Sequence, residues 1–127
     1  MGSAKRVALV TGSASGIGSA VAVRLANEGL DTIVNYSQSA DSASDTAEKC
    51  TAAGSDTLLV QCDVSNEAGV ESMLDDIEKK YGRLDAVVNN AGTSISTLAK
   101  DFDKVSEEEF DRVLAVNVKG MFLVAKH

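Results

Sequence analysis

Thr11-Gly12-Ser13-Ala14-Ser15-Gly16-Ile17-Gly18 follows an apolar run, Val7 to Val10, and opens a stretch with helical patterning that ends at Gly29. A buried strand, a tight glycine turn and a helix N-terminus, in that order, form an anion cradle. Unbonded backbone N–H groups and the positive end of the helix dipole converge on one spot. A pyrophosphate suits that spot. Gly12, Gly16 and Gly18 each have a reason to lack a side chain: the turn, the approach of the phosphates, and the packing of helix on strand. Ser13 and Ser15 add hydroxyls able to bond phosphate, and Ile17 belongs to the same helix start. The spacing is Gly-x-x-x-Gly-x-Gly, and a tight βα turn without a ligand is the bland alternative.

Four further places carry chemistry. Beyond a second strand pattern stands Asn35-Tyr36-Ser37. Dinucleotide sites usually place there an acid for the ribose hydroxyls or a basic group for a 2′-phosphate, and this chain has neither. Asp63 closes a third strand pattern and is followed by Val64. Asn89-Asn90-Ala91-Gly92 ends a fourth, where amide side chains satisfy loose backbone groups or reach a ligand. Asn117 falls within an apolar helical stripe of Phe110, Val113, Leu114, Met121 and Phe122. An unpartnered buried amide costs roughly 1 to 3 kcal/mol, so backbone, water or a catalytic group must bond it.

The elements that position these residues alternate. Strands are expected at residues 6–10, 32–36, 57–62 and 86–89, and helices at 17–28, 41–53, 67–81 and from 107 onward. Alternating βα units imply a parallel sheet with right-handed crossovers and helices on both faces. Gly29 and Gly82 offer left-handed helix caps, and Ser106 with Glu109 spells a capping box. The last helix would be about 30 Å long by Lys126.

At 127 residues the chain fits one domain, with 44% hydrophobic and 24% charged residues. A net charge of −7 argues against a nucleic-acid surface, and no apolar stretch is long enough to span a bilayer. A cytoplasmic protein is the expectation. Cys50 and Cys62 have no metal-ligand spacing and are expected to be buried thiols; no metal site is expected.

Together these motifs resemble the short-chain dehydrogenase/reductase family, from the glycine turn through Asp63 and Asn89-Asn90-Ala91-Gly92 to Asn117-Val118-Lys119-Gly120. The resemblance implies a Rossmann-type doubly wound parallel sheet in three αβα layers, strand order 3-2-1-4, cut off after the fourth strand and its following helix. It implies hydride transfer between a nicotinamide cofactor and a carbonyl or secondary alcohol. Asn35-Tyr36-Ser37 is similar to the 3-oxoacyl carrier-protein reductase branch, which favours NADP over NAD. In the family the acid matching Asp63 accepts the adenine amino group. Asn90 ties its motif to Thr11 and lines the cofactor, Ala91 and Gly92 admit the nicotinamide ribose, and Asn117 matches the catalytic asparagine that holds a water in the proton path. The family commonly forms homo-oligomers.

The family's chemistry also uses a serine followed by Tyr-x-x-x-Lys, but Tyr36 and Tyr81 are followed four positions later by Ala40 and Asp85. The chain is therefore expected to be an N-terminal, cofactor-binding portion (residues 1–127) of a longer oxidoreductase, with Val87 and Val88 on an uncovered sheet edge. The substrate would be a small or carrier-linked carbonyl compound. Two rival readings are a non-catalytic dinucleotide- or partner-binding module and a methyltransferase on a similar sheet; the asparagine motifs disfavour the second.

Overall fold

The computed structural model describes residues 5–95 and 99–127. Four parallel strands, β1 (Val7–Val10), β2 (Asp31–Tyr36), β3 (Thr57–Gln61) and β4 (Ala86–Val88), form one sheet in the order β3-β2-β1-β4. In register, Val7 pairs with Asp31, Ala8 with Ala86, and Thr32 with Thr57. The helices are α1 (Gly16–Asn27), α2 (Ala40–Ala52), α3 (Glu67–Tyr81), α4 (Glu107–Leu114) and α5 (Gly120–Lys126). A 3₁₀ segment, Ala99–Lys104, precedes α4.

Strand alternation divides the core into two layers. Val7, Leu9 and Ile33 face one way and pack with Val70, Met73, Ile77 and Tyr81 of α3 and with Val116, Leu123 and Val124. Val10 and Val34 face the other way, onto Ala22 and Ala26 of α1 and Ala43 and Cys50 of α2. Small side chains on that second side let α1 and α2 lie close to the sheet. β1 and the first five residues of β2 are buried, as two-sided coverage demands of a parallel sheet. The outer strands differ, with Leu59 on β3 and Val87 on β4 substantially exposed.

Element boundaries match the sequence expectations to within one residue, and the helix ends carry the expected punctuation. Gly29 and Gly82 have φ of 92° and 71°, the left-handed region a C-terminal cap uses. The Ser106 hydroxyl accepts the Glu109 N–H at 3.1 Å, and the Glu109 carboxylate accepts the Ser106 N–H at 3.1 Å, completing the capping box. Asn66 caps α3 by accepting from Gly69 N–H.

The last helix departs from expectation. It is not a single α-helix, because Ala115–Lys119 forms a π-helical turn between α4 and α5. The buried face is also different: Val116, Gly120, Leu123 and Val124 point into the protein, whereas Phe110, Leu114, Met121 and Phe122 are 43 to 62% exposed. The apolar stripe read from the sequence is thus mainly an outer face. Covering β3's loop needs small and branched residues, and Gly120 supplies the closest approach: a Cβ there would lie 2.6 Å from Val64 Cγ2.

Candidate functional site

The glycine turn is held from beneath by Asn35. Its Oδ1 accepts the Gly12 N–H at 3.0 Å, and its Nδ2 donates to the carbonyls of Val60 and Cys62 at 3.3 and 3.2 Å. The side chain is buried and fully committed. Asn35 therefore sets the turn's position and has no group left to choose between a ribose hydroxyl and a 2′-phosphate. Ser13 needs a similar correction. Its buried hydroxyl donates to Val10 O at 2.7 Å and accepts the Asn35 N–H at 3.1 Å, so it stitches β1 to β2 and does not face a phosphate.

Ser15, Gly16 and Ile17 present the opposite situation. All three are exposed at the start of α1, and Ser15 makes no side-chain cap bond, so the first N–H groups of the helix remain open. Gly16 has φ of 61°, and nothing lies within 4 Å of where its Cβ would be. That open space above an uncapped helix N-terminus fits a pyrophosphate. Gly12 and Gly18 are glycines for inward reasons. A Cβ on Gly12 would sit 2.8 Å from Ala91 Cα, and one on Gly18 would meet Asn90 Nδ2 and, at 2.5 Å, Gly12 O.

Thr11 joins this turn to the end of β4. Its hydroxyl accepts the N–H groups of Asn90 and Ala91, each at 3.0 Å, while Asn90 Nδ2 donates to Gly12 O at 3.0 Å. The two motifs become one surface. Around it opens a cavity of about 400 Å³ whose lining includes Gly12, Asn35, Tyr36, Ser37, Asp63, Val64, Asn90, Ala91 and Gly92. Gln38, Ser39, Thr93 and Arg112 also line it, and the sequence offered no signal for these.

Asp63 is partly exposed at the cavity wall. Its Oδ1 accepts the Ser65 N–H and hydroxyl at 3.0 and 2.7 Å, and its Oδ2 pairs with Arg112 at 3.0 Å. Burial alone would raise this carboxyl, but the hydrogen bonds from Ser65 and Arg112 outweigh it and hold the group below its ordinary value. It stays an anion and an acceptor.

Asn117 lies in the π-helical turn. Its Oδ1 accepts the Thr93 N–H at 2.7 Å and its Nδ2 donates to Thr93 O at 2.9 Å, so both ends of the amide brace the segment after Gly92. A Cβ on Gly92 would lie 3.4 Å from that Oδ1. Asn117 does not itself line the cavity, but it holds residues that do. π turns of this kind are often found at functional sites.

Other titratable groups are structural. Cys50 and Cys62 are buried, and burial pushes both thiols up, away from reactivity. The Tyr81 hydroxyl donates to Asp56 O at 2.9 Å, and burial with the nearby charges of Asp56 and Asp31 raises it far above the range of a working acid. His127, for which the sequence offered no role, reaches Glu67 at 3.0 Å and Glu71 at 3.4 Å; Lys126, 2.8 Å from Glu67, already neutralises that carboxylate.

A four-stranded doubly wound sheet, with its cavity where the strand order reverses between β1 and β4, defines a Rossmann-type α/β domain. Residues 6–127 match the family model for short chain dehydrogenases, and the chain belongs to that family. It is 44% identical over 121 residues to elsinochrome reductase 1 of Elsinoe fawcettii, covering 95% of this chain and 44% of that protein. Versicolorin reductase 1 of Aspergillus parasiticus is 40% identical over 121 residues, covering 95% and 45%. A solved structure described as a short-chain dehydrogenase/reductase from Burkholderia xenovorans superposes with a TM-score of 0.93 at 34% identity, over 98% of this chain and 51% of that one. Another, described as a dehydrogenase from Burkholderia cenocepacia with bound NADP, gives 0.86 at 32% identity, over 97% and 46%. The chain spans less than half the length of these two curated relatives. Among the described residues, no helix is long and apolar enough to cross a membrane.

Proposed function

We propose that these residues form the dinucleotide-binding part of an NAD(P)-dependent oxidoreductase, with NADP as the preferred cofactor and NAD the alternative, acting on a carbonyl or secondary alcohol. The observation that carries this is the joining of the glycine turn to the end of β4, where Thr11 accepts from Asn90 and Asn90 donates to Gly12, with Gly12 and Asn90 lining the cavity and the uncapped N-terminus of α1 following the turn. The N–H groups at Ser15, Gly16 and Ile17 hold the pyrophosphate, Asp63 and Val64 take the adenine, and Asn90, Ala91 and Gly92 border the nicotinamide ribose. The cofactor, when bound, supplies or accepts a hydride. Asn117 keeps Thr93 and Gly92 in place for the reacting end.

No carboxylate stands among Tyr36, Ser37, Gln38 and Ser39, which line the cavity beyond β2, so nothing there repels a 2′-phosphate. The neighbour with bound NADP supports the same preference. Relatives named as reductases favour reduction of a ketone over alcohol oxidation. A 3-oxoacyl group on an acyl carrier is the narrower substrate reading, and it rests on the Asn35-Tyr36-Ser37 resemblance alone. Assembly as a homo-oligomer and a cytoplasmic location belong to the same reading. Calorimetric titration tests it: NADPH is expected to bind at least as tightly as NADH, and failure of both to bind would remove the reading.

A second reading is a module that binds dinucleotide without turnover. Ketone-dependent NADPH oxidation by the purified protein separates the two, since only a complete acid-base set supplies the 10² to 10⁴-fold typical of positioned proton transfer.

A further inference from the structure

Arg112 reaches from α4 onto the turn that carries Asp63. One guanidinium nitrogen lies 3.0 Å from Asp63 Oδ2 and another donates to Ser65 Oγ at 3.0 Å. Ser65 in turn donates its N–H and its hydroxyl to Asp63 Oδ1. Both carboxylate oxygens are therefore anchored, and the group cannot rotate without breaking a bond. The pair is not built for stability: its side chains are 48 and 37% exposed, where ion pairs contribute little. Among the described residues, Arg112 is also the only cationic one lining the cavity.

We propose that Arg112 is a positioning residue for nucleobase selection: clamped between Arg112 and Ser65, the Asp63 carboxylate keeps the one lone pair left on Oδ2 aimed at the exocyclic amino group of a bound purine. The proposal rests on the dinucleotide reading above. An anchored carboxylate accepts from an amino group and repels a carbonyl oxygen in the same place. A loose one turns toward solvent and discriminates poorly. Arg112 serves this better than a lysine would, because its planar fork reaches Asp63 and Ser65 together.

The test compares NADPH with its deaminated analogue, in which hypoxanthine presents a carbonyl where adenine has the amino group. Binding of each is measured by titration to wild type, Arg112→Ala and Arg112→Lys, with melting curves to confirm folding. Wild type is expected to prefer the adenine form by about tenfold, the scale of a hydrogen bond to a charged group. Arg112→Ala should bring the two within about threefold, chiefly by weakening the adenine form, and Arg112→Lys should fall between. Unchanged discrimination in Arg112→Ala would overturn the proposal. So would equal weakening of both forms, which would mean the guanidinium stacks on the ring or only supports the fold. A wild type that binds both forms equally would overturn it while leaving the dinucleotide reading intact, whereas a wild type that binds neither would remove that reading and the proposal with it.

Discussion

The Asn35 amide oxygen accepts the Gly12 N–H at 3.0 Å across the end of the sheet, so the residue after the core of one strand sets the glycine turn that follows its neighbour. The same amide nitrogen serves two carbonyls of the β3 end. One side chain thus joins three strand ends at the cavity.

Replacing Asn35 by Asp turns an oxygen toward the carbonyls of Val60 and Cys62. The loss of two donors in a buried place should lower stability by about 1 to 3 kcal/mol and weaken NADPH and NADH alike. Ser37→Asp, by contrast, adds a charge at the exposed cavity edge and should shift preference toward NADH at unchanged melting temperature. Parallel titrations and melting curves check both.

Gly16 and Gly18 should respond differently to alanine. Gly18→Ala forces its Cβ into Asn90 Nδ2 and Gly12 O, which must move the turn, so dinucleotide affinity should fall at least tenfold along with about 1 to 3 kcal/mol of stability. Gly16→Ala meets no atom but must adopt a positive φ, costing about 1 kcal/mol. Denaturant unfolding, with NADPH titration of each variant, distinguishes them.

Asn117→Leu removes both bonds to Thr93 and leaves its backbone groups without partners in the described structure. Because Thr93 is exposed and water can take the place of the lost amide, stability should fall by only about 0.5 to 1.5 kcal/mol. In the complete enzyme, turnover should drop more than NADPH affinity, because the displaced segment borders the reacting end of the cavity; steady-state kinetics and titration read the two separately. Equal loss of both would count against this role.

Acid should destabilise the protein through Asp63 and Asp85. The Arg83 guanidinium and the Val7 N–H hold Asp85 low, as Ser65 and Arg112 hold Asp63. Because both carboxyls titrate below their ordinary 3.8 when folded, their contribution is complete above that pH and is lost as pH falls through the lower folded values. Melting temperature should decline below about pH 4, and Arg112→Ala should make the decline shallower.

The sequence determined the layering and the parts of the site that depend on local chemistry. Apolar runs and period-3.6 patterns, together with glycine caps, place the four strands and the helices α1 to α3, since these signals act over a few residues, but not the π-helical break in the last helix or the 3₁₀ segment before it. The turn at Gly12 to Gly18 and the small residues Ala91 and Gly92 are legible for the same reason. What a side chain meets across the fold is not. Asn35 read as a cofactor contact because strand ends face ligands, and Ser13 because its hydroxyl lies in the glycine turn, yet Asn35 bonds Gly12, Val60 and Cys62 and Ser13 bonds Asn35 and Val10, and the cross-strand distances among these exist only once β1, β2 and β3 are side by side. The buried side of the last helix was misread because its two apolar faces look alike in sequence; Gly120 against Val64 decides which turns inward. Arg112 carried no signal at all. An arginine on an amphipathic helix is ordinarily a solvated charge, and only the packing of α4 beside the β3 end sets it on Asp63.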